Sequence, residues 1–288
     1  MYSNATPRHG TAAVLLLLFA AGCGESEAPS APAEPIAPVA VEPEGAPTAD
    51  TGSVAVDSEL LPYAEVGDNL IYGHFAFPSD MVEPLPAIVL IHDVWGLNDD
   101  MRALADRLAA MGYMVLAVDM YGGSGVASDV VEARAFAIQV IENPETTADN
   151  IRQALDFVGI AGAPSKAALG YGLGGTWSLN AAERFPDEID AAIMFYGQVI
   201  AEETRLEAIN APVLGLFGAR DRAVSLASVT DFEAAMRRLG KRPTVQIYSN
   251  AGHAFADPSR RDFDEETAAD AWQRTVDFLK ENLPSSRN

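Results

Sequence analysis

Gly172, Asp221 and His253 stand where their types and order could do nucleophilic chemistry, in a chain of 288 residues. Gly172 lies in the run Gly170-Tyr171-Gly172-Leu173-Gly174-Gly175. An apolar strand pattern, Ala167-Ala168-Leu169, precedes that run, and a helix pattern, Thr176 to Arg184, follows it. Strand, sharp turn and helix make a nucleophile elbow, which thrusts one side chain out on a strained backbone to attack an acyl carbon. Here that position is glycine, so the attacking atom is missing. Asp221 follows the buried strand pattern that ends at Phe217, and His253 lies in the loop after the next strand pattern, Thr244 to Tyr248. The C-terminal ends of strands are where α/β sheets gather functional groups. A carboxylate there fixes the imidazole tautomer and stabilises the imidazolium, while the imidazole accepts a proton. Taken singly, the aspartate reads equally as a turn cap and the histidine as a surface residue. Their order after an elbow (nucleophile position, Asp, His) is that of a hydrolytic triad.

Other chemistry fits less well. The glycine run also spells G-x-G-x-x-G, the turn that brings a pyrophosphate to a helix N-terminus. Such a turn follows the first strand of its unit, with an acid ending the next strand. Here at least two buried strand patterns come earlier, and the next strand ends Tyr196-Gly197-Gln198. No cofactor is therefore implied. Cys23 is the only cysteine, so the folded part has neither a disulfide nor a thiol. Thr176 and Ser178 lie beyond the exposed point of the turn, and Ser124 and Ser128 fall in a loop, so none replaces the missing nucleophile. His74 and His92 read as structural, because two scattered histidines do not make a metal site.

The elements that must position these groups alternate. Val54 to Phe77 reads as one or two strands turning at Gly67-Asp68. Ala87 to Ile91 is an unbroken apolar run, the pattern of a strand buried on both faces. Asp99 to Met111 has helical periodicity, with Asn98 as a cap. Further strands are expected at Tyr113–Val118, Ala191–Tyr196 and Pro212–Phe217, and helices at Ser128–Ile141, Thr146–Val158, Leu226–Leu239 and Asp262–Leu283. This alternation predicts an α/β class: a mostly parallel central sheet with helices on both faces. One domain is expected over residues 53–285. The hydrophobic fraction of 49% suffices for its core. The net charge of −22, from 41 acids against 19 bases, repels nucleic acid and anionic membrane faces.

The N-terminus carries a separate signal. Arg8 and His9 precede the apolar run Ala12 to Ala21, too short for a stable membrane span. It ends Ala20-Ala21-Gly22-Cys23, similar to the bacterial lipoprotein box, with Ala20 in place of the usual leucine. Residues 1–22 are read as a lipoprotein signal peptide, Cys23 as the lipidated residue, and residues 23–52, rich in Pro, Ala and Glu, as a disordered tether. An ordinary signal peptide with an incidental cysteine is the alternative. Gly24 after the cysteine points, by the same resemblance, to the periplasmic face of the outer membrane of a bacterial envelope.

Ile91-His92-Asp93-Val94-Trp95-Gly96-Leu97-Asn98, Val118-Asp119-Met120-Tyr121-Gly122, Gly170–Gly175, Gly218-Ala219-Arg220-Asp221 and Ala251-Gly252-His253-Ala254-Phe255 resemble, in order, segments of the dienelactone hydrolases. The resemblance covers roughly Leu61 to Leu283. It implies the α/β-hydrolase fold, a small ester or lactone as substrate, and an oxyanion hole from the backbone N–H groups of Leu173 and Val94. The family's nucleophilic cysteine falls at Gly172. Its glutamate beside that thiol falls at Asp93, one methylene shorter. The arginine expected shortly after the histidine falls near Asp257, an acid, which argues against dienelactone itself. Three readings stay open: a hydrolase in which His253 activates water directly, an inactive pseudo-hydrolase that binds a small ester, acid or lactone, and an ordinary enzyme inactivated by a recent cysteine-to-glycine change.

Overall fold

The computed structural model describes residues 54–123 and 125–285. The expected signal peptide, Cys23 and the whole of the tether lie outside the described residues, as does Ser124.

The sheet has eight strands: β1 (Val56–Val66), β2 (Asn69–Pro78), β3 (Ala87–Ile91), β4 (Met114–Val118), β5 (Lys166–Tyr171), β6 (Ala191–Phe195), β7 (Val213–Gly218) and β8 (Thr244–Tyr248). Their spatial order is β1-β2-β4-β3-β5-β6-β7-β8. β1 and β2 form an antiparallel hairpin, and β2 pairs antiparallel with β4. Every other pairing is parallel. The chain therefore enters near the middle at β3, steps outward to β4, then crosses back to β5 and grows the other way. The loops after β3 and β5 meet at that reversal, at the C-terminal ends of the strands, where open α/β sheets bind ligands. Asp93 and Val94 follow β3, and Gly172 follows β5.

β3, β4 and β6 are buried at every residue, because helices cover both sheet faces. Alternate residues of one strand feed opposite cores. Val89 and Ile91 pack with Ile151 and Leu155 of α3 (Pro144–Ile160) and Phe232 of α6 (Leu226–Arg238). Ile88 and Leu90 pack with Leu108 of α1 (Asp99–Ala109) and Leu279 of α7 (Glu265–Asn282). Asn98 caps α1 by accepting from the Met101 N–H at 3.0 Å.

Several helices begin at other residues than the periodicity predicts. α2 (Val130–Glu142) starts after Asp129, whose carboxylate caps it. α3 starts at Pro144, whose missing N–H costs nothing in a first turn. α7 starts at Glu265 behind the Asp264 cap. A four-residue helix, α5 (Glu203–Leu206), has too few residues to show any apolar period. α4 (Leu173–Arg184) starts inside the glycine run rather than at Thr176. Its first turn presses against the sheet. A Cβ on Gly174 would lie 2.6 Å from the Ile91 carbonyl carbon, so only glycine lets the helix approach this closely.

Candidate active site

Gly172 is the N-cap of α4, with φ 52° and ψ −112°. This conformation is open to glycine and strained for any other residue. Both polar groups of its backbone are engaged: its N–H donates to Phe195 O at 2.9 Å, and its C=O accepts from the Thr176 N–H at 3.0 Å. The elbow backbone is thus held from the sheet side and the helix side, whatever the side chain.

Asp93 fills the space in front of this turn. A Cβ on Gly172 would lie 2.6 Å from Asp93 Cγ and 2.9 Å from Oδ2, inside van der Waals contact. Asp93 Oδ1 accepts from the Val94 N–H at 2.6 Å and from the Leu173 N–H at 3.4 Å. The two amides expected to form an oxyanion hole do converge on one oxygen, and that oxygen belongs to the protein's own carboxylate. Burial pushes the Asp93 carboxyl above its ordinary pKa, against the pull of the Val94 N–H, the His253 charge and the Leu173 N–H. Behind it, the Tyr121 hydroxyl donates to Val94 O at 2.8 Å and fixes that loop. The sequence offered Tyr121 only as part of a family-like segment.

Asp221 and His253 meet at the ends of the neighbouring strands β7 and β8. His253 Nδ1 lies 2.8 Å from Asp221 Oδ2. Asp221 Oδ1 accepts from the Ala223 and Val224 N–H groups at 2.7 and 3.0 Å. A carboxylate so supplied with donors stays ionised and accepts a hydrogen bond from Nδ1–H of a neutral imidazole, which leaves Nε2 free to accept a proton. The Asp221 side chain is 1% exposed and that of His253 is 37% exposed, so the pair has a buried anchor and an accessible base. Burial would raise the Asp221 pKa, but the His253 hydrogen bond and the loop amides outweigh it and hold it below its ordinary value. Burial would lower the His253 pKa, but the hydrogen bond and charge of Asp221, with the charge of Asp93, leave it raised. Tyr196 packs edge-on against the imidazole, with ring centroids 5.2 Å apart, and holds a positive φ of 40°.

A cavity of about 470 Å³ opens beside Asp93 and Tyr196. Trp95, Leu104, Tyr171, Phe195, Tyr196 and Trp272 give it an apolar, aromatic wall. Asp93, Asp100, Asp257 and Glu265 bring four carboxylates to the wall, against the single guanidinium of Arg107. Arg107 stacks on Trp272 at 3.7 Å. The sequence placed an acid where the family carries an arginine, and Asp257 does line the cavity. Arg260, three residues on, nevertheless lays its guanidinium 4.3 Å over the Trp95 ring.

The remaining candidates have other partners. Thr176 Oγ1 donates to Gly172 O and accepts from the Gln198 N–H at 2.8 Å. Ser178 Oγ is buried and donates to Ala168 O at 2.9 Å, and Ser128 bonds Glu132 at the start of α2. His92 Nε2 accepts from the Met120 N–H at 3.1 Å and ties the end of β3 to β4, while His74 pairs with Asp106 at 2.8 Å. Among the described residues, no three His, Cys, Asp or Glu side chains are grouped to hold a metal ion.

The dienelactone hydrolase family model matches residues 71–283. The protein named Usf from Aquifex pyrophilus is 32% identical over 206 residues, covering 69% of this chain and 89% of its own length. A Methylorubrum extorquens protein, provisionally named as a carboxymethylenebutenolidase, is 28% identical over 263 residues, covering 84% of this chain and 88% of its own. The crystal structure of a dienelactone hydrolase-like promiscuous phosphotriesterase from metagenomic libraries superposes with a TM-score of 0.72 at 25% identity, covering 79% of this chain and 99% of that one. The chain belongs to the dienelactone hydrolase family and has its α/β-hydrolase fold.

Proposed function

We propose that this member of the dienelactone hydrolase family hydrolyses small, neutral carboxylic esters or lactones without a protein thiol, using water activated by His253. The observation that carries this reading is the Asp221–His253 hydrogen bond of 2.8 Å beside an elbow with no side chain. In this mechanism the substrate carbonyl oxygen takes the Val94 and Leu173 amides from Asp93. Water then gives a proton to His253 Nε2 as its oxygen attacks the carbonyl carbon. The developing imidazolium is held by Asp221, and the oxyanion by the two amides. His253 returns the proton to the leaving alkoxide. No acyl-enzyme forms. Triads that lack a member retain roughly 10³–10⁴-fold catalysis over water from the hole and from binding, and an activated ester needs little more. The carboxylate-rich wall favours neutral substrates over a dienelactone carboxylate.

Asp93 supports a second reading, in which the pocket binds an ester, acid or lactone without turning it over, because the carboxylate must leave the amides before any substrate uses them. A panel of activated esters and lactones, run on the wild type beside His253→Ala, separates the two. Turnover lost with His253 supports the hydrolase. Ligand retention without turnover, little changed by His253→Ala, supports the binding protein.

The reading includes anchorage at a bacterial envelope through a lipid on Cys23, on the periplasmic face of the outer membrane. Its support is the apolar run, the small residues before Cys23 and the Pro/Ala/Glu-rich segment after it.

A further inference from the structure

In the resting protein, Asp93 holds the place that a substrate acyl group would take. Its Oδ1 faces both elbow amides, and the carboxylate as a whole fills the space that a side chain at Gly172 would need. Among the described residues, no hydrogen-bond donor engages Oδ2. Of Asp93, Gly172, Asp221 and His253, only Asp93 belongs to the wall of the aromatic cavity, so an apolar molecule there meets this carboxylate first. An oxyanion site filled by the protein's own carboxylate is ill placed for a first attack on a carbonyl, whose oxygen must displace it. The same arrangement suits a carboxylate that attacks saturated carbon, where the substrate develops no oxyanion.

We propose that Asp93 is a carboxylate nucleophile and that the site has a second activity, hydrolytic displacement at saturated carbon of neutral alkyl or benzylic halides and sulfonates. In the first step Asp93 Oδ2 forms a bond to the carbon, the carbon–halogen bond breaks, and its electron pair departs with the halide. An ester of Asp93 remains. In the second step water attacks Asp93 Cγ and gives a proton to His253, while the carbonyl electrons move onto Oδ1. The amides of Val94 and Leu173 already face that oxygen. Collapse breaks the bond between Cγ and Oδ2, the alkoxide takes the proton from His253, and the regenerated carboxyl loses its proton to solvent. Alkyl halide and water become alcohol, halide and a proton. Burial supports the first step by leaving the carboxylate poorly solvated. The inference does not rest on the ester reading, although both use the Asp221–His253 pair.

The test is a single turnover of 4-nitrobenzyl chloride by excess wild-type full-length protein in oxygen-18 water. Chloride release, an alcohol carrying ordinary oxygen and one heavy oxygen in the peptide containing Asp93 are expected. His253→Gln should stall after one chloride with a 4-nitrobenzyl group on that peptide. Asp93→Asn should lower chloride release on the order of a thousandfold. Heavy oxygen in the first-turnover alcohol would overturn the proposal, as would chloride release no faster than in buffer. If the same preparation hydrolyses 4-nitrophenyl acetate yet releases no chloride, this inference alone fails. If it turns over neither, the ester reading fails as well.

Discussion

Replacing Gly172 by cysteine is the shortest route from this site to a thiol hydrolase, and two obstacles stand in its way. A non-glycine residue at φ 52° carries strain of about 1–3 kcal/mol. The new Cβ would also collide with the Asp93 carboxylate. Gly172→Cys should therefore lower stability by about that much, and Gly172→Cys with Asp93→Ala should turn over activated esters faster than Gly172→Cys alone. Steady-state rates on 4-nitrophenyl esters check this, and a double variant no faster than the single would contradict the placement of Asp93. His253 makes a separate demand on pH. As a base it works only when neutral, and Asp221 and Asp93 raise its pKa despite burial. The rate should fall as pH drops through a midpoint above the ordinary imidazole value of about 6.5. Asp221→Asn removes the largest raising partner, so it should move that midpoint down while lowering the plateau. A midpoint below about 6.5 in the wild type would contradict the environment described for His253.

At the scale of elements, the strands were legible because buried parallel strands are continuous apolar runs, as in β3, β4 and β6. Asp221 could be placed because it follows such a run, β7, and His253 because it follows the alternating apolar pattern of the edge strand β8. Their contact could not be read, because it depends on β7 and β8 being neighbours in the sheet. Asp93 was legible as a family position but not as the occupant of the space before Gly172, which requires the β3 and β5 loops to meet across the reversal. The start of α4 was missed because the glycines at its N-terminus hide helical periodicity. Gly174 is the pivot of that helix, since its first turn rests on the carbonyl of Ile91. Gly174→Ala should push α4 off the sheet, destabilise the fold by about 1–3 kcal/mol and move the Leu173 N–H away from Asp93. Urea unfolding measures the loss, and an unchanged midpoint would contradict so close an approach.

For the whole molecule, a net charge of −22 means that self-repulsion opposes the folded state. Raising sodium chloride from ~10 mM to ~0.5 M shortens the screening length severalfold and should raise Tm by a few degrees. A Tm that falls with salt would point to attractive ion pairs outweighing that repulsion. The lipid proposal also belongs to this scale. Cys23→Ser should release the protein from membrane fractions, whereas unchanged fractionation with a mature N-terminus elsewhere would contradict it. No described helix is long and apolar enough to cross a membrane. The most direct measurement of the central claim is a pre-steady-state time course of ester hydrolysis by wild type and His253→Ala. Linear product release without a burst, with most of the rate lost in the variant, is the result expected of water activated by His253. A burst of first product that titrates with enzyme, or a rate indifferent to His253→Ala, would contradict it.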